Sequence, residues 1–123
     1  MSEKIVWSFK AQVSGGPTLS VTDTIEMDAY DKIDATIPKN SVATAVEVQP
    51  GDGAKFLLIL AASYEDLTYK VDDRVGAITL DGPHILIGEG AVSLLHDTQN
   101  TLTFTNANAT TDNKVSILVG RTA

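Results

Sequence analysis

A two-residue alternation near the start of the chain limits what it can fold into. The odd positions from 5 to 13 are all apolar: Ile5, Trp7, Phe9, Ala11 and Val13. Of the even positions between them, only Val6 is apolar. Successive side chains of a strand point to opposite faces, so this spacing makes one dry face and one wet face. A helix would need its apolar residues to recur about every 3.6 positions. The same rhythm returns in Leu19, Val21, Ile25 and Met27, then in Ile33, Ala35 and Ile37. It continues in Val42, Thr44, Val46 and Val48, in Leu67, Tyr69 and Val71, and in Val115, Ile117 and Val119.

Turn-forming residues separate these runs. Ser14-Gly15-Gly16-Pro17 ends the first, and Pro38-Lys39-Asn40 ends the third, since proline cannot donate to a ladder. Pro50-Gly51-Asp52-Gly53 contains Asp-Gly and predicts a hairpin. Residues 56–62 are apolar on both faces and predict a central strand covered on both sides. Residues 75–80 predict a short strand closed by Asp81-Gly82-Pro83, and Ile85-Leu86-Ile87 and residues 91–95 are further short apolar runs. Thr101 to Thr105 alternates strictly, and residues 106–113 are polar and turn-rich. Asp23 interrupts an apolar face, which predicts a strand edge or a bulge. Trp7, Phe9 and Phe104 fall on inward faces and are predicted core. The best helical candidate, residues 61–67, is short and uncapped. The expectation is a single all-β domain over residues 1–123: an antiparallel β-sandwich, jelly-roll-like, of about eight to ten short strands.

Composition narrows the functional classes. A chain of 123 residues is one domain and long enough for a core without staples. With no cysteine there is no disulfide, thiolate metal site or thiol nucleophile. The start, Met1-Ser2-Glu3-Lys4, leads into a strand without an apolar h-region, so cytoplasmic synthesis without a signal peptide is expected. No apolar stretch approaches the roughly 20 residues that span a bilayer. The formal charge is -7 and the nine basic residues are scattered, so neither nucleic acid nor a membrane is an expected partner.

Catalytic patterns are missing. His84 and His96 lack a partner at metal-ligand spacing and read as surface or loop histidines. They are too few and wrongly spaced for the multi-histidine metal site of a cupin-type enzyme. Asp23, Glu26, Asp28, Asp31 and Asp34 crowd one stretch and Asp72 and Asp73 another, yet no EF-hand spacing occurs. No GxSxG elbow and no phosphate-binding glycine motif is present. Gly51, Gly53, Gly88 and Gly90 read as turn glycines. Asn108-Ala109-Thr110 matches a glycosylation acceptor, which reads here as a hairpin loop. No catalytic, cofactor or metal residue is expected. Tyr30, Tyr64 and Tyr69, if exposed on one face, would offer a platform for a carbohydrate or another small ligand.

Three segments carry a resemblance. Ala77-Ile78-Thr79-Leu80-Asp81-Gly82-Pro83 is followed by a short apolar segment, and Thr101-Leu102-Thr103-Phe104-Thr105-Asn106 runs through a Thr- and Asn-rich loop into Lys114-Val115-Ser116-Ile117-Leu118-Val119. Together with the Thr-rich strand 18–26 and the strand 33–38, this ordering resembles small virion-associated proteins of tailed phages, the last pair resembling their final hairpin. The resemblance implies a structural role as a head, head-decoration or tail component. It implies a homo-oligomer attached to a larger protein particle, and no catalytic residue. A long, regular strand over residues 4–13 without proline suits pairing across a subunit boundary, with Lys4 and Lys10 on its wet face as partial protection. The alternative reading is a carbohydrate- or small-ligand-binding module.

Overall fold

The computed structural model describes residues 3–48, 54–96 and 99–121. It is an antiparallel β-sandwich with a two-stranded ribbon attached. Strands β1 (Glu3–Gln12) and β2 (Thr18–Met27) form the ribbon. β3 (Ala29–Ile37), β4 (Ser41–Glu47), β5 (Ala54–Ala61), β6 (Leu67–Val71), β7 (Ile78–Thr79), β8 (His84–Ile87), β9 (Thr101–Asn106) and β10 (Asn113–Arg121) form the sandwich, with a single helical turn α1 (Glu89–Val92) after β8. One sheet has the order β3-β10-β5-β8 and the other β4-β9-β6-β7. Among these eight strands, the first lies beside the last and the second beside the next-to-last, which is the winding of a jelly roll.

The core lies between the sheets and follows the alternation. Ile37, Val115, Ile117, Val119, Leu57 and Ile59 face inward from one sheet; Leu67, Tyr69, Val71, Leu102, Phe104 and Val46 face them from the other. Tyr69 and Phe104 sit opposite one another on neighbouring strands, ring centroids 5.6 Å apart. Burying the Tyr69 ring requires a partner for its hydroxyl, and His84 Nδ1 supplies one at 2.7 Å. His84 is therefore a half-buried core-edge residue, not a loop histidine.

Burial pushes the Tyr69 hydroxyl pKa far above its usual value, against a smaller opposing pull from the charge of Arg74. The folded state thus favours the neutral phenol. Its stabilising effect is complete below the ordinary tyrosine value, about 10, and is lost as pH rises past it. Thermal melts of the wild type are expected to fall steeply above about pH 10. Tyr69→Phe should flatten that alkaline limb while lowering stability by about 1 kcal/mol at neutral pH through the lost bond to His84. An alkaline limb of unchanged slope in the variant would refute this assignment.

Several expectations change. The segment containing Pro50-Gly51-Asp52-Gly53 lies outside the described residues; the strands on either side of it, β4 and β5, belong to different sheets and do not pair, so the predicted hairpin does not form. The same holds for β9 and β10: the Asn-rich segment between them crosses from one sheet to the other. Its crossing is fixed by amides. Asn106 Nδ2 donates to the carbonyls of Ile37 (3.2 Å) and Thr111 (3.1 Å). Asn113 Nδ2 donates to Ser63 O at 2.8 Å, and Asn108 Oδ1 accepts from the backbone of Thr110 and Thr111. Val42 points to solvent because the register shifts between Ser41 and Thr44. The run 91–95 is not a strand: it falls on the end of α1 and the turns that follow it, placing Val92 and Leu95 on the core at an i, i+3 spacing. Residues 75–80 give only the two-residue β7.

Candidate interaction surface

The most regular alternation in the sequence belongs to no sheet of the sandwich. β1 and β2 pair over their full length, from Glu3 opposite Met27 to Gln12 opposite Thr18, with no shift in register. Of the two expectations for Asp23, the strand edge holds and the bulge does not: β2 is an edge strand of the two-stranded ribbon, and Asp23 sits in register opposite Trp7, its carboxylate accepting from the Thr24 N–H at 2.8 Å. Because pairing places residues of equal orientation side by side, one face of the ribbon gathers Ile5, Trp7, Phe9, Ala11, Leu19, Val21, Ile25 and Met27, with Asp23 among them opposite Trp7 and Glu3 at the end. Val13 is next in the same alternation. The other face carries Lys4, Val6, Ser8, Lys10, Gln12, Thr18, Ser20, Thr22, Thr24 and Glu26.

Only the root of the apolar face is covered. Met27 is buried and Ile5, Trp7 and Ile25 are half-buried, whereas every residue from 8 to 24 is exposed. Phe9 is 46% exposed and Leu19 70%, so the prediction of Phe9 as core fails: its strand is apolar on one side, but the sheet on that side stands off across an open cleft. The root rests on the outer face of the β3-β10-β5-β8 sheet. Gly120 makes this approach possible, since a Cβ there would run into Met27 Sδ and Ile5 Cδ1. The ammonium of Lys55 donates to Glu26 O at 3.4 Å, and Asp28 N–H to Arg121 O at 2.9 Å.

Beyond the root, ribbon and sheet diverge around an apolar cleft of about 410 Å³. Ile5, Val6, Trp7, Phe9 and Val21 line one wall; Phe56, Leu58, Ile85, Ile87 and Leu118 line the other. The double-sided apolarity of β5 is thereby explained. Leu57 and Ile59 face the core, while Phe56 and Leu58 face the cleft and Leu60 remains 38% exposed.

The strand edges differ in kind. The sandwich blunts three of its four: β7 has two residues, β8 four, and β4 is bulged. The ribbon has ten-residue strands free of bulge and proline.

The residues singled out for chemistry do not converge. Tyr69 is in the core. Tyr30 lies on β3 and is 53% exposed; Tyr64 follows β5, packs against the core and accepts the Ala61 N–H at 3.2 Å. The three form no shared platform. His96 is bonded to Asp73 at 2.6 Å, on a different element from His84. Among the described residues, no three His, Asp or Glu side chains gather in a way that could hold a metal. The carboxylates of the acidic stretch have separate partners: Asp31 binds Arg121, and Asp34 accepts from Ser116 and Lys32. The Ser116 hydroxyl bond first, then Lys32, holds the Asp34 pKa below its usual value. Asp72 accepts the N–H groups of Asn100 and Thr101, fixing the approach to β9. No helix among the described residues is long and apolar enough to cross a membrane. The chain matches no protein-family model, and neither the curated proteins nor the solved structures contain a significant match to it.

Proposed function

We propose that this chain is a non-enzymatic structural protein that works as a homo-oligomer through protein–protein contacts, attached to a larger particle. The observation that carries this reading is the ribbon, whose apolar outer half stands in solvent. Contiguous apolar patches on soluble chains mark interaction surfaces. Supporting it, the sandwich blunts three of its four edges while the ribbon leaves both of its long straight edges open. The particle we propose is a tailed-phage virion, with the protein in head decoration or at the tail. That placement rests on the sequence resemblance and on the use of jelly rolls in viral capsid domains. The carbohydrate- or small-ligand-binding reading is weaker, because Tyr69 is internal and the other tyrosines stand apart.

Native mass spectrometry and sedimentation velocity over a concentration series are the test. A defined multimer that also co-sediments with capsids or tails is the expected result. A strict monomer at every concentration, with no such association, would refute the proposal.

A further inference from the structure

We infer that the outer half of the ribbon is an exchange arm: its apolar face lies on the outer face of the β5–β8 side of a second copy of this chain, inside that copy's cleft. This deepens the reading above and rests on it.

The arm needs a second layer. A two-stranded hairpin alone is marginal in water, and residues 8–24 have both faces in solvent. At the root the missing layer is the chain's own sheet, reached by Met27 and Ile5 over Gly120. The same sheet face continues beyond the root through Leu58, Ile85 and Leu60, of which Ile85 is 46% and Leu60 38% exposed. The arm carries an uncovered face and each body an uncovered seat, and both are aliphatic and aromatic in character. Packing in trans thus extends a ribbon-on-sheet contact that the fold already makes in cis.

Charge selects the same occupant. Lys10 and Asp23 are the only charged residues between positions 8 and 24, so the arm is neutral. The chain as a whole is -7, and all of that net charge lies outside the arm. Two acidic bodies repel, and a neutral arm is the part of one copy that approaches another without that repulsion. The area is also sufficient. Phe9, Val13, Leu19 and Val21 expose roughly 400 Å² of apolar surface, comparable to the largest patch on a typical monomer. Reciprocal exchange covers two arms and two seats, on the order of 1,600 Å², the standard area of a stable specific interface.

The chain has no cysteine, which makes disulfide trapping clean. Chains carrying Leu19→Cys are mixed with chains carrying Ile85→Cys, and separately with chains carrying Leu60→Cys, then oxidised mildly. A third mixture pairs Leu19→Cys with Val75→Cys, a residue 96% exposed on the turn after β6. The expected result is a mixed disulfide at the Ile85 or Leu60 position several-fold above the Val75 control. In parallel, Leu19→Asp should raise the concentration of half-assembly at least tenfold, with an unchanged circular dichroism spectrum. If the wild type assembles but Leu19→Asp assembles equally well, or neither mixed disulfide exceeds the control, the exchange arm is overturned while the homo-oligomer stands. If the wild type is monomeric throughout, both readings fall.

Discussion

Phe104→Ala is expected to remove about 3–5 kcal/mol of folding stability, the range for deleting a fully buried aromatic ring. Phe104 has no exposed surface, and it sits at the middle of β9 with Tyr69 opposite it on β6 and Thr44 opposite it on β4. Its ring contacts that of Tyr69 at a 34° tilt. The space left behind cannot be refilled from β9's neighbours without breaking the Tyr69–His84 bond, because that bond fixes where the tyrosine ring lies. The loss therefore includes a cavity as well as the transfer of the ring. For a domain of this size the melting temperature should fall by roughly 10–20 °C. Differential scanning calorimetry reads it directly, and Phe104→Leu should recover more than half. A decrease below about 5 °C for the alanine variant would mean that the space between the sheets collapses far more readily than in ordinary cores.

Gly120→Val is the second large effect, and it acts on the ribbon. Gly120 faces outward from β10 beneath Met27 and Ile5, with Phe56 and Tyr30 as its cross-strand neighbours. Any Cβ there meets Met27 Sδ, and a branched one leaves the ribbon root no room. Overpacking of this kind costs about 1–3 kcal/mol. The sandwich core lies on the other side of the sheet, so the ribbon is expected to lift while the two sheets stay folded. Trp7, the single tryptophan, lies at this root and reports on it. Its emission should shift to the red in Gly120→Val, and shortening Met27 to alanine in the same chain should reverse part of the shift. An unchanged Trp7 spectrum would show that the ribbon does not depend on the close approach at Gly120.

Much of this architecture was legible in the alternation. Period two identified the strands, and the inward positions of β5, β6, β9 and β10 are the residues that the sequence pattern puts on dry faces. The failures share a cause. Alternation states that a face is apolar without stating what covers it, so Trp7 and Phe9 read as core although their strand has a neighbour on only one side. Likewise, Asp-Gly and Asn-rich segments mark a change of direction but not a pairing partner. β4 and β5 are consecutive in the chain and lie in opposite sheets, as do β9 and β10. Partner choice in a jelly roll is set by contacts between distant segments, which local residue preferences do not encode. The cleft had one visible trace, the apolarity of residues 56–62 on both sides, which announced a second covering layer. The glycine that lets the ribbon descend onto that layer stands sixty residues and more from the cleft's β5 wall and carried no local signal.

The position of β9 and β10 in the winding has a kinetic corollary. Each is an interior strand, flanked on both sides by partners that precede it. Neither four-stranded sheet closes until those late segments are available, and such non-local pairing places folding in the millisecond-to-second range. The β1–β2 hairpin, by contrast, is wholly local and can zip within about 1–10 μs. During synthesis the greasy ribbon therefore exists well before the surface that shelters its root, and a nascent chain is at its stickiest before its body has formed.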